Sequence, residues 1–267
     1  MRISIELIPR TPPAVLADAL TVRSTMPTAD TFNIPDLTRL PLRSWEACAI
    51  TRTILPASIP HLRAIDIQPG DERAIGDAIV AAGISEVLIV KGDAPRDMSR
   101  VTYPNTSESI IHRFKRAYPQ IRVYAAFDPY RTSFREERDA VNRKVDAGAD
   151  GFFTQPFFDL RLLEISSELL RDHCVFWGIA PVIGARSQAY WETTNHVIFP
   201  ASFSPTLEAN RTFARSAVDL IRHMQGNVYF MPIRVDLATY LTGLLPPQTK
   251  ISLNQMSDPL NKSLTDR

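Results

Sequence analysis

The 267-residue sequence is poor in the residues and motifs that mark several classes of protein. Its two cysteines, Cys48 and Cys174, lie neither in a CxxC motif nor at metal-ligand spacing from a histidine, so we expect neither a disulfide framework nor a metal site. Only 10 glycines are present, and the motifs GxGxxG, GxxxxGK[ST], HExxH and GxSxG do not occur. These absences disfavour a Rossmann pyrophosphate site, a P-loop, a zinc hydrolase and an α/β-hydrolase.

The charge balance and the lack of long apolar runs limit the partners and the location. Lysine and arginine total 30 against 29 acidic residues, so the chain has no excess of basic charge for a nucleic acid or an anionic membrane. No segment approaches the roughly 18 uninterrupted apolar residues of a membrane span, and the N-terminal MRISIELIPR lacks the apolar core of a signal peptide. We therefore expect a cytoplasmic protein that binds neither nucleic acid nor membrane.

What the sequence does contain is an alternation of short β-rich runs with amphipathic helical segments. The strand candidates are residues 3–8, 30–34, 61–65, 86–90, 122–127, 151–154, 175–179 and 228–231. The helical candidates include residues 71–83, 107–118, 135–148, 160–173 and 207–224. This order predicts an α/β fold, a single-domain (β/α)8 TIM barrel over residues 1–245, with a doubly wound open sheet as the alternative. Residues 246–267 are polar and contain proline, which predicts a C-terminal tail.

Polar residues follow several of the apolar runs, where the carboxyl ends of barrel strands would meet. They are Glu6, Asn33, Asp36, His61, Lys91, Gly92, Asp93, Gln155 and Arg234. Because active sites of such barrels lie at this end, their convergence predicts a small-molecule site. Glu6 is the strongest candidate, since an acid flanked by Ile5 and Leu7 is costly to bury without a purpose.

Several of these residues also have a plainer interpretation, and Glu6 itself could be an edge carboxylate in a salt bridge. Asp93 could cap the element after its strand, and Arg234 could form a surface ion pair. His61 and Gln155 could be satisfied polar groups of the core. The segment that contains Arg143 and Lys144 looks first like the solvated face of a helix.

Five motifs together resemble the methylenetetrahydrofolate reductase family. They are SIELIPR at 4–10, IPHLRAID at 59–66, VKGDAP at 90–95, RKVDAGADGFFTQPFFD at 143–159 and GIAPV at 178–182. The most specific is RKVDAGADGFFTQPFFD, and the resemblance runs in order along residues 3–240. It implies a barrel that binds FAD at its mouth and reduces 5,10-methylenetetrahydrofolate to 5-methyltetrahydrofolate with NAD(P)H. The implied partners are the reduced folate and NAD(P)H, and a homo-oligomer is compatible with the sequence.

The resemblance also implies roles for individual residues. Glu6 and Asp93 match the family's catalytic positions, as the proton-delivering glutamate and the aspartate beside pterin and flavin. The expected substrate-binding residues are Gln155, Trp191, Arg234 and Asn33. The expected flavin-binding residues are His61, Lys91, Gly92, Asp93, Tyr103, Arg143 and Lys144. The required chemistry fits a part-buried Glu6, because desolvation raises the pKa of a carboxyl and lets it hold a proton near neutral pH.

The sequence departs from the family pattern mainly on the flavin side. Lys91 replaces an arginine, Phe127 a tyrosine and Ala140 an asparagine, and the AAFDPYRTSF loop is short. These departures keep two alternatives open. One is a flavin-free reductase in which hydride passes directly from the nicotinamide to the folate. The other is a non-catalytic folate-binding barrel, which the presence of the candidate acid Glu6 disfavours.

Overall fold

The computed structural model describes residues 1–95 and 100–245, and these form a closed barrel of eight parallel strands in sequential order. The strands are β1 Ile3–Glu6, β2 Thr31–Ile34, β3 Ala57–Arg63, β4 Glu86–Val90, β5 Arg122–Phe127, β6 Gly151–Phe157, β7 Cys174–Ile179 and β8 Asn227–Phe230. The predicted (β/α)8 barrel is thus confirmed, and the open sheet is wrong because β1 pairs with both β2 and β8. The predicted tail at 246–267 lies outside the described residues.

Helices connect the strands and cover the outside of the barrel. They are α1 Pro12–Thr25, α2 Ser44–Thr51, α3 Asp71–Ala81, α4 Ser107–Ala117, α5 Phe134–Asp146, α6 Leu160–Leu169, α7 Ala185–Asn195, α8 Leu207–His223 and α9 Leu237–Leu241. Several begin with a side-chain cap, such as Thr106 before α4 and Ser133 before α5, whose hydroxyls accept the otherwise unpaired backbone N–H groups of the first turn. Each of the five predicted helices is present.

Two predicted strands differ from the observed ones by more than two residues at one end. The third strand begins four residues before the predicted 61–65 and ends at Arg63, after which Ala64–Asp66 form a 3-10 helix. His61 therefore lies within β3 and not at its start. The sixth strand continues to Phe157, so Gln155 is a strand residue inside the barrel mouth.

The barrel interior is closed below the mouth by a layer of aromatic and aliphatic side chains. The rings of Phe153 and Phe176 stack with centroids 4.3 Å apart, and Tyr124 meets Phe176 edge-on at 5.5 Å. Beneath them Arg2 donates to both carboxylate oxygens of Glu86 at 2.7 Å. The side chains thus fill the amino end of the barrel, and a ligand has room at the carboxyl end.

Candidate active site at the carboxyl end of the barrel

A cavity of about 240 Å³ opens above the aromatic layer, and we call it the inner cavity. Its polar lining comes from five strands or helices. These residues are Glu6 of β1, His61 of β3, Thr154 and Gln155 of β6, Tyr190 and Asn195 of α7, and Tyr229 of β8. The predicted convergence of Glu6, His61 and Gln155 is therefore observed.

Glu6 is the acid of the inner cavity. It is the last residue of β1 and is paired in register with Asn33 of β2. Burial raises the pKa of its carboxyl from the ordinary 4.5 to about 7, and hydrogen bonds from Tyr229 and Asn33 oppose that rise. A group with this pKa is present in both its protonated and its ionised form near pH 7, so it can hold a proton and release it.

Asn33 and His61 form a fixed polar pair beside Glu6. The Ser4 hydroxyl donates to Asn33 Oδ1 at 2.7 Å, and Asn33 Nδ2 lies 3.0 Å from His61 Nε2. With Oδ1 accepting from Ser4, the amide nitrogen is the donor toward His61. Burial lowers the pKa of His61 to about 3, so the imidazole is neutral and accepts this hydrogen bond.

Gln155 stands on the wall between the inner cavity and a second cavity. The pairing of β6 with β7 shifts register between Phe153 and Pro156, and such irregularities redirect the side chains within them. Close packing here requires Gly178, because a Cβ at that position would lie 2.8 Å from the Thr154 carbonyl oxygen. Gln155 lines both cavities, so its amide can donate and accept at a ligand in either.

Trp191 forms an apolar wall of the inner cavity. It lies on α7, is only 4% exposed, and contacts Phe158 edge-on with ring centroids 5.5 Å apart. Large rings of this kind provide contact area to a flat heterocycle. The position of Trp191 thus suits the predicted substrate contact.

The second cavity, which we call the outer cavity, has a volume of about 280 Å³ and lies toward β4 and β5. Its lining includes the predicted residues Lys91, Gly92 and Asp93, together with Arg131 from the β5–α5 loop. The side chain of Asp93 is 84% exposed and pairs with Arg131 at 3.0 Å. Asp93 and Glu6 thus line different cavities.

Of the other predicted flavin residues, His61 and Lys144 also line the outer cavity, whereas Arg143 and Tyr103 do not. Lys144 is buried, donates to the Ala126 carbonyl at 2.7 Å and lies 3.7 Å from Glu137, so the interpretation as a solvated residue is wrong for it. Arg143 fits that interpretation, since its side chain is 61% exposed and faces Glu108. Tyr103 donates to Gln68 at 3.0 Å and lines neither cavity.

Arg234 lines a third cavity of about 410 Å³, which Glu6 also borders. Its backbone is left-handed, with φ 59°, and its guanidinium lies 4.3 Å from the centre of the Tyr190 ring. Arg10 and Arg39 contribute to the same cavity. Asp18 and Asp236 line it as well, and Arg10 is paired with Asp18, so Arg234 and Arg39 are the cations placed for the carboxylates of a ligand tail.

Several residues of the site were not predicted from the sequence, among them Tyr190, Asn195, Tyr229 and Arg131. Tyr229 had a detectable signal, because it alternates with the outward-facing Val228 and Phe230 and must face the barrel interior. Asn195 follows Trp191 by one helical turn and so shares its face, and its buried Nδ2 has no hydrogen-bond partner among the described residues. Arg131 lies in a loop, where periodicity carries no information.

Residues 1–95 and 100–245 contain neither a metal-ligand cluster nor a membrane-spanning helix. No group of three or more histidine, cysteine, aspartate or glutamate residues there could hold a metal ion. None of the helices there combines the length and the apolar character needed to cross a membrane.

Comparison with known proteins identifies related sequences. The family model for methylenetetrahydrofolate reductase matches residues 42–225. The 5,10-methylenetetrahydrofolate reductase of Escherichia coli K12 is 31% identical over 129 residues, which cover 48% of this chain and 42% of that protein. The enzyme of the same name from Pectobacterium carotovorum is 30% identical with the same coverage. The match therefore spans less than half the length of these relatives.

Comparison with solved structures supports the fold. An uncharacterized Clostridium thermocellum protein, which binds two copies of 5-methyl-5,6,7,8-tetrahydrofolic acid, superposes with a TM-score of 0.64 at 10% identity and covers 90% of this chain and 93% of its own. A 2,3-dimethylmalate lyase superposes with a TM-score of 0.58 at 10% identity, covering 88% of this chain and 75% of its own. At such low identity, both similarities establish the barrel alone.

Proposed function

The chain belongs to the methylenetetrahydrofolate reductase family, and from that membership we propose that it reduces 5,10-methylenetetrahydrofolate to 5-methyltetrahydrofolate with a reduced nicotinamide cofactor. The observation that carries the proposal is Glu6, an acid with a pKa of about 7 on the wall of a cavity that also presents Gln155 and Trp191. This combination supplies a transferable proton, an amide and an apolar wall to one heterocyclic ligand.

The proposed chemistry begins with proton transfer from the Glu6 carboxyl to N10 of the folate. Protonation breaks the bond between N10 and the methylene carbon and leaves a 5-iminium cation. Hydride from the reduced nicotinamide then adds to that carbon and forms the methyl group, while the oxidised nicotinamide leaves. Glu6 ends as a carboxylate and is reprotonated from water, which balances the step.

The neighbouring residues orient the ligand for this transfer. Gln155 offers both a donor and an acceptor, which matches a pterin edge, and Trp191 packs against the ring. Arg234 binds the carboxylates at the far end of the folate, and Asn33 supports the acid and the neutral His61. Asp93, in the outer cavity, acts on the cofactor side and stabilises developing positive charge.

The expected flavin-binding residues His61, Lys91, Gly92, Asp93 and Lys144 line the outer cavity, which supports FAD as a bound cofactor. Of the three expected phosphate-binding cations, Lys91 and Lys144 line this cavity, whereas Arg143 lies beside Glu108. The Asp93–Arg131 ion pair lies at the same cavity. A flavin held there would supply hydride to the methylene carbon of the folate.

The flavin-free form of the proposal rests on the contact between the inner and outer cavities. Gln155 and His61 line both cavities, so a nicotinamide in the outer cavity would lie beside a pterin in the inner one. Direct hydride transfer requires such contact between reacting atoms.

The deciding experiment combines a spectrum with an anaerobic assay of the purified full chain. We expect 5-methyltetrahydrofolate to form from methylenetetrahydrofolate and NADH or NADPH, with mass-spectrometric detection, and the Glu6→Gln variant to lose about 10²–10⁴-fold in rate. A colourless active protein establishes the flavin-free form, and a yellow protein bleached by nicotinamide establishes the FAD-dependent form. Absence of product with both nicotinamides, with and without added FAD, would reject the reductase.

A further candidate is a non-catalytic folate-binding barrel. The Clostridium thermocellum structure is of a protein that binds 5-methyl-5,6,7,8-tetrahydrofolic acid, which gives this candidate its support. It predicts tight binding of 5-methyltetrahydrofolate in calorimetry together with no turnover in the assay above. The raised pKa of Glu6 counts against it, because a binder gains nothing from a transferable proton.

A further inference from the structure

Tyr229 makes the closest polar contact of the proposed acid. Its hydroxyl donates to Glu6 Oε2. The ring is buried on β8, where it meets Phe153 edge-on with centroids 5.3 Å apart and is paired in register with Ser4 and Gly178 on the two neighbouring strands. Packing on these sides holds the hydroxyl toward Glu6.

We propose that Tyr229 is a positioning residue that determines which oxygen of Glu6 delivers the proton and the pH range over which it does so. The inference rests on the proposed function, in which Glu6 is the general acid. Because the Tyr229 hydroxyl donates to Oε2, that oxygen acts as the acceptor and the acid proton is left on Oε1. The tyrosine thus orients a carboxyl group whose two oxygens would otherwise be equivalent.

Asn33, the second polar neighbour of Glu6, is also held as a hydrogen-bond donor. Asn33 Oδ1 accepts from Ser4 at 2.7 Å, so the amide turns its nitrogen toward His61 and Glu6. Donors to a carboxyl favour its charged form and lower its pKa, whereas burial has the larger and opposite effect. Removal of the Tyr229 donor should therefore raise the pKa of Glu6 above about 7.

Other ionisable groups around Glu6 could also influence its titration. Those that line a cavity with it are His61 of β3, Tyr190 of α7, Arg10 and Asp18 of the β1–α1 region, Arg39 after β2, and Arg234 and Asp236 after β8. Arg10 is paired with Asp18 at 2.7 Å, and His61 is neutral because burial lowers its pKa to about 3. Burial, Tyr229 and Asn33 are thus the principal influences on Glu6.

The tyrosine acts at the moment when Glu6 loses its proton. As Oε1–H transfers to N10 of the folate, negative charge appears on the carboxylate, and the Tyr229 hydrogen bond becomes charge-assisted and stronger. The tyrosine keeps its own proton, because burial and the adjacent carboxyl raise its pKa well above the ordinary value. Tyr229 is therefore not itself an acid in the reaction.

The test is the pH dependence of folate reduction in Tyr229→Phe. Hydrogen bonds to charged groups contribute about 1.5–3 kcal/mol, which corresponds to about one to two pH units. We expect the alkaline limb of the rate profile to move up by that amount. We also expect the plateau at low pH to fall, since a weaker acid donates less readily.

Tyr124→Phe is the matched control. Tyr124 is also a buried tyrosine whose hydroxyl donates to a glutamate, Glu86, at 2.8 Å, and it also meets Phe153 edge-on, at 5.2 Å. It lies at the amino end of the barrel, so its loss should lower stability without moving the alkaline limb. An unshifted limb in Tyr229→Phe, or an equal shift in both variants, would overturn the proposal.

Infrared difference spectroscopy makes the test independent of catalysis. The carboxyl band of Glu6, assigned by its absence in Glu6→Gln, should titrate one to two units higher in Tyr229→Phe, by the same hydrogen-bond magnitude of about 1.5–3 kcal/mol. If the chain reduces no folate, this shift still decides the role of Tyr229. If Tyr229→Phe does not fold, 3-fluorotyrosine incorporated into the unaltered sequence provides a stronger donor and should move the titration downward. An unmoved band would then refute the proposal.

Discussion

Replacement of Glu6, the candidate acid, by glutamine should stabilise the protein at neutral and alkaline pH. The pKa of Glu6 is about 7 in the folded chain and about 4.5 when exposed. Between these values the unfolded chain releases the proton while the folded chain retains it. Stability from this group is therefore fully present below pH 4.5 and is lost as the pH rises toward 7. Glu6→Gln removes the titration and keeps the shape.

The magnitude follows from the two pKa values. A difference of about 2.5 units, at 1.36 kcal/mol per unit, amounts to about 3 kcal/mol once the pH is above both values. The stability of Glu6→Gln relative to the unaltered protein should thus increase by about 3 kcal/mol between pH 4 and pH 8. For a domain of this size, that change corresponds to a rise in Tm of about 6–12 °C.

Thermal unfolding followed by circular dichroism from pH 4 to pH 8 measures this difference. Glu164→Gln, an exposed glutamate on α6, is the control and should show a flat difference across the same range. A constant Tm difference between Glu6→Gln and the unaltered protein would refute the reasoning. In that event Glu6 would titrate as an ordinary exposed carboxylate, and its place in the proposed proton transfer would be lost.

Three further predictions concern binding and stability. Gln155→Glu should weaken folate binding in calorimetry by about 5–150-fold, since a carboxylate cannot donate to the pterin. Glu86→Gln should lower the free energy of unfolding in urea by about 1.5–3 kcal/mol, because Arg2 then loses its charged acceptor. Lys144→Ala should lower it by about 1–3 kcal/mol, since the Ala126 carbonyl loses its donor, whereas Arg143→Ala should change it by less than about 0.5 kcal/mol.

The fold was predictable where a strand is a continuous apolar run. β4 and β5 have the predicted bounds, because EVLIV and RVYAAF are rich in β-branched and aromatic residues. The start of β3 was not predictable, since Pro60 lacks a backbone donor and argues against a strand interior. Helix α1 was missed because Leu16 and Leu20 are exposed, which removes the one-sided apolar pattern of a surface helix.

The candidate site was predictable where a polar residue interrupts an apolar strand. Glu6 and Gln155 stand out in this way, and both line the inner cavity. Tyr229 does not, because a tyrosine in a strand resembles an ordinary core aromatic until its hydroxyl is seen to contact Glu6. Lys144 was misread since charged residues on helices are normally solvated, and only the barrel reveals that its ammonium reaches the Ala126 carbonyl.

Two glutamates in one barrel show what keeps a proton on the acid. Glu86, at the amino end, is paired with Arg2 at 2.7 Å, and its pKa is lowered although burial alone would raise it. Glu6, at the carboxyl end, has a tyrosine and an asparagine as partners and no ion pair among the described residues, and its pKa rises to about 7. An arginine beside Glu6 would stabilise the fold at neutral pH, but it would fix the carboxyl as an anion with no proton to give. The neutral hydrogen-bond donors therefore stabilise the anion enough to let Glu6 ionise during a reaction, but too little to return its pKa to the ordinary 4.5.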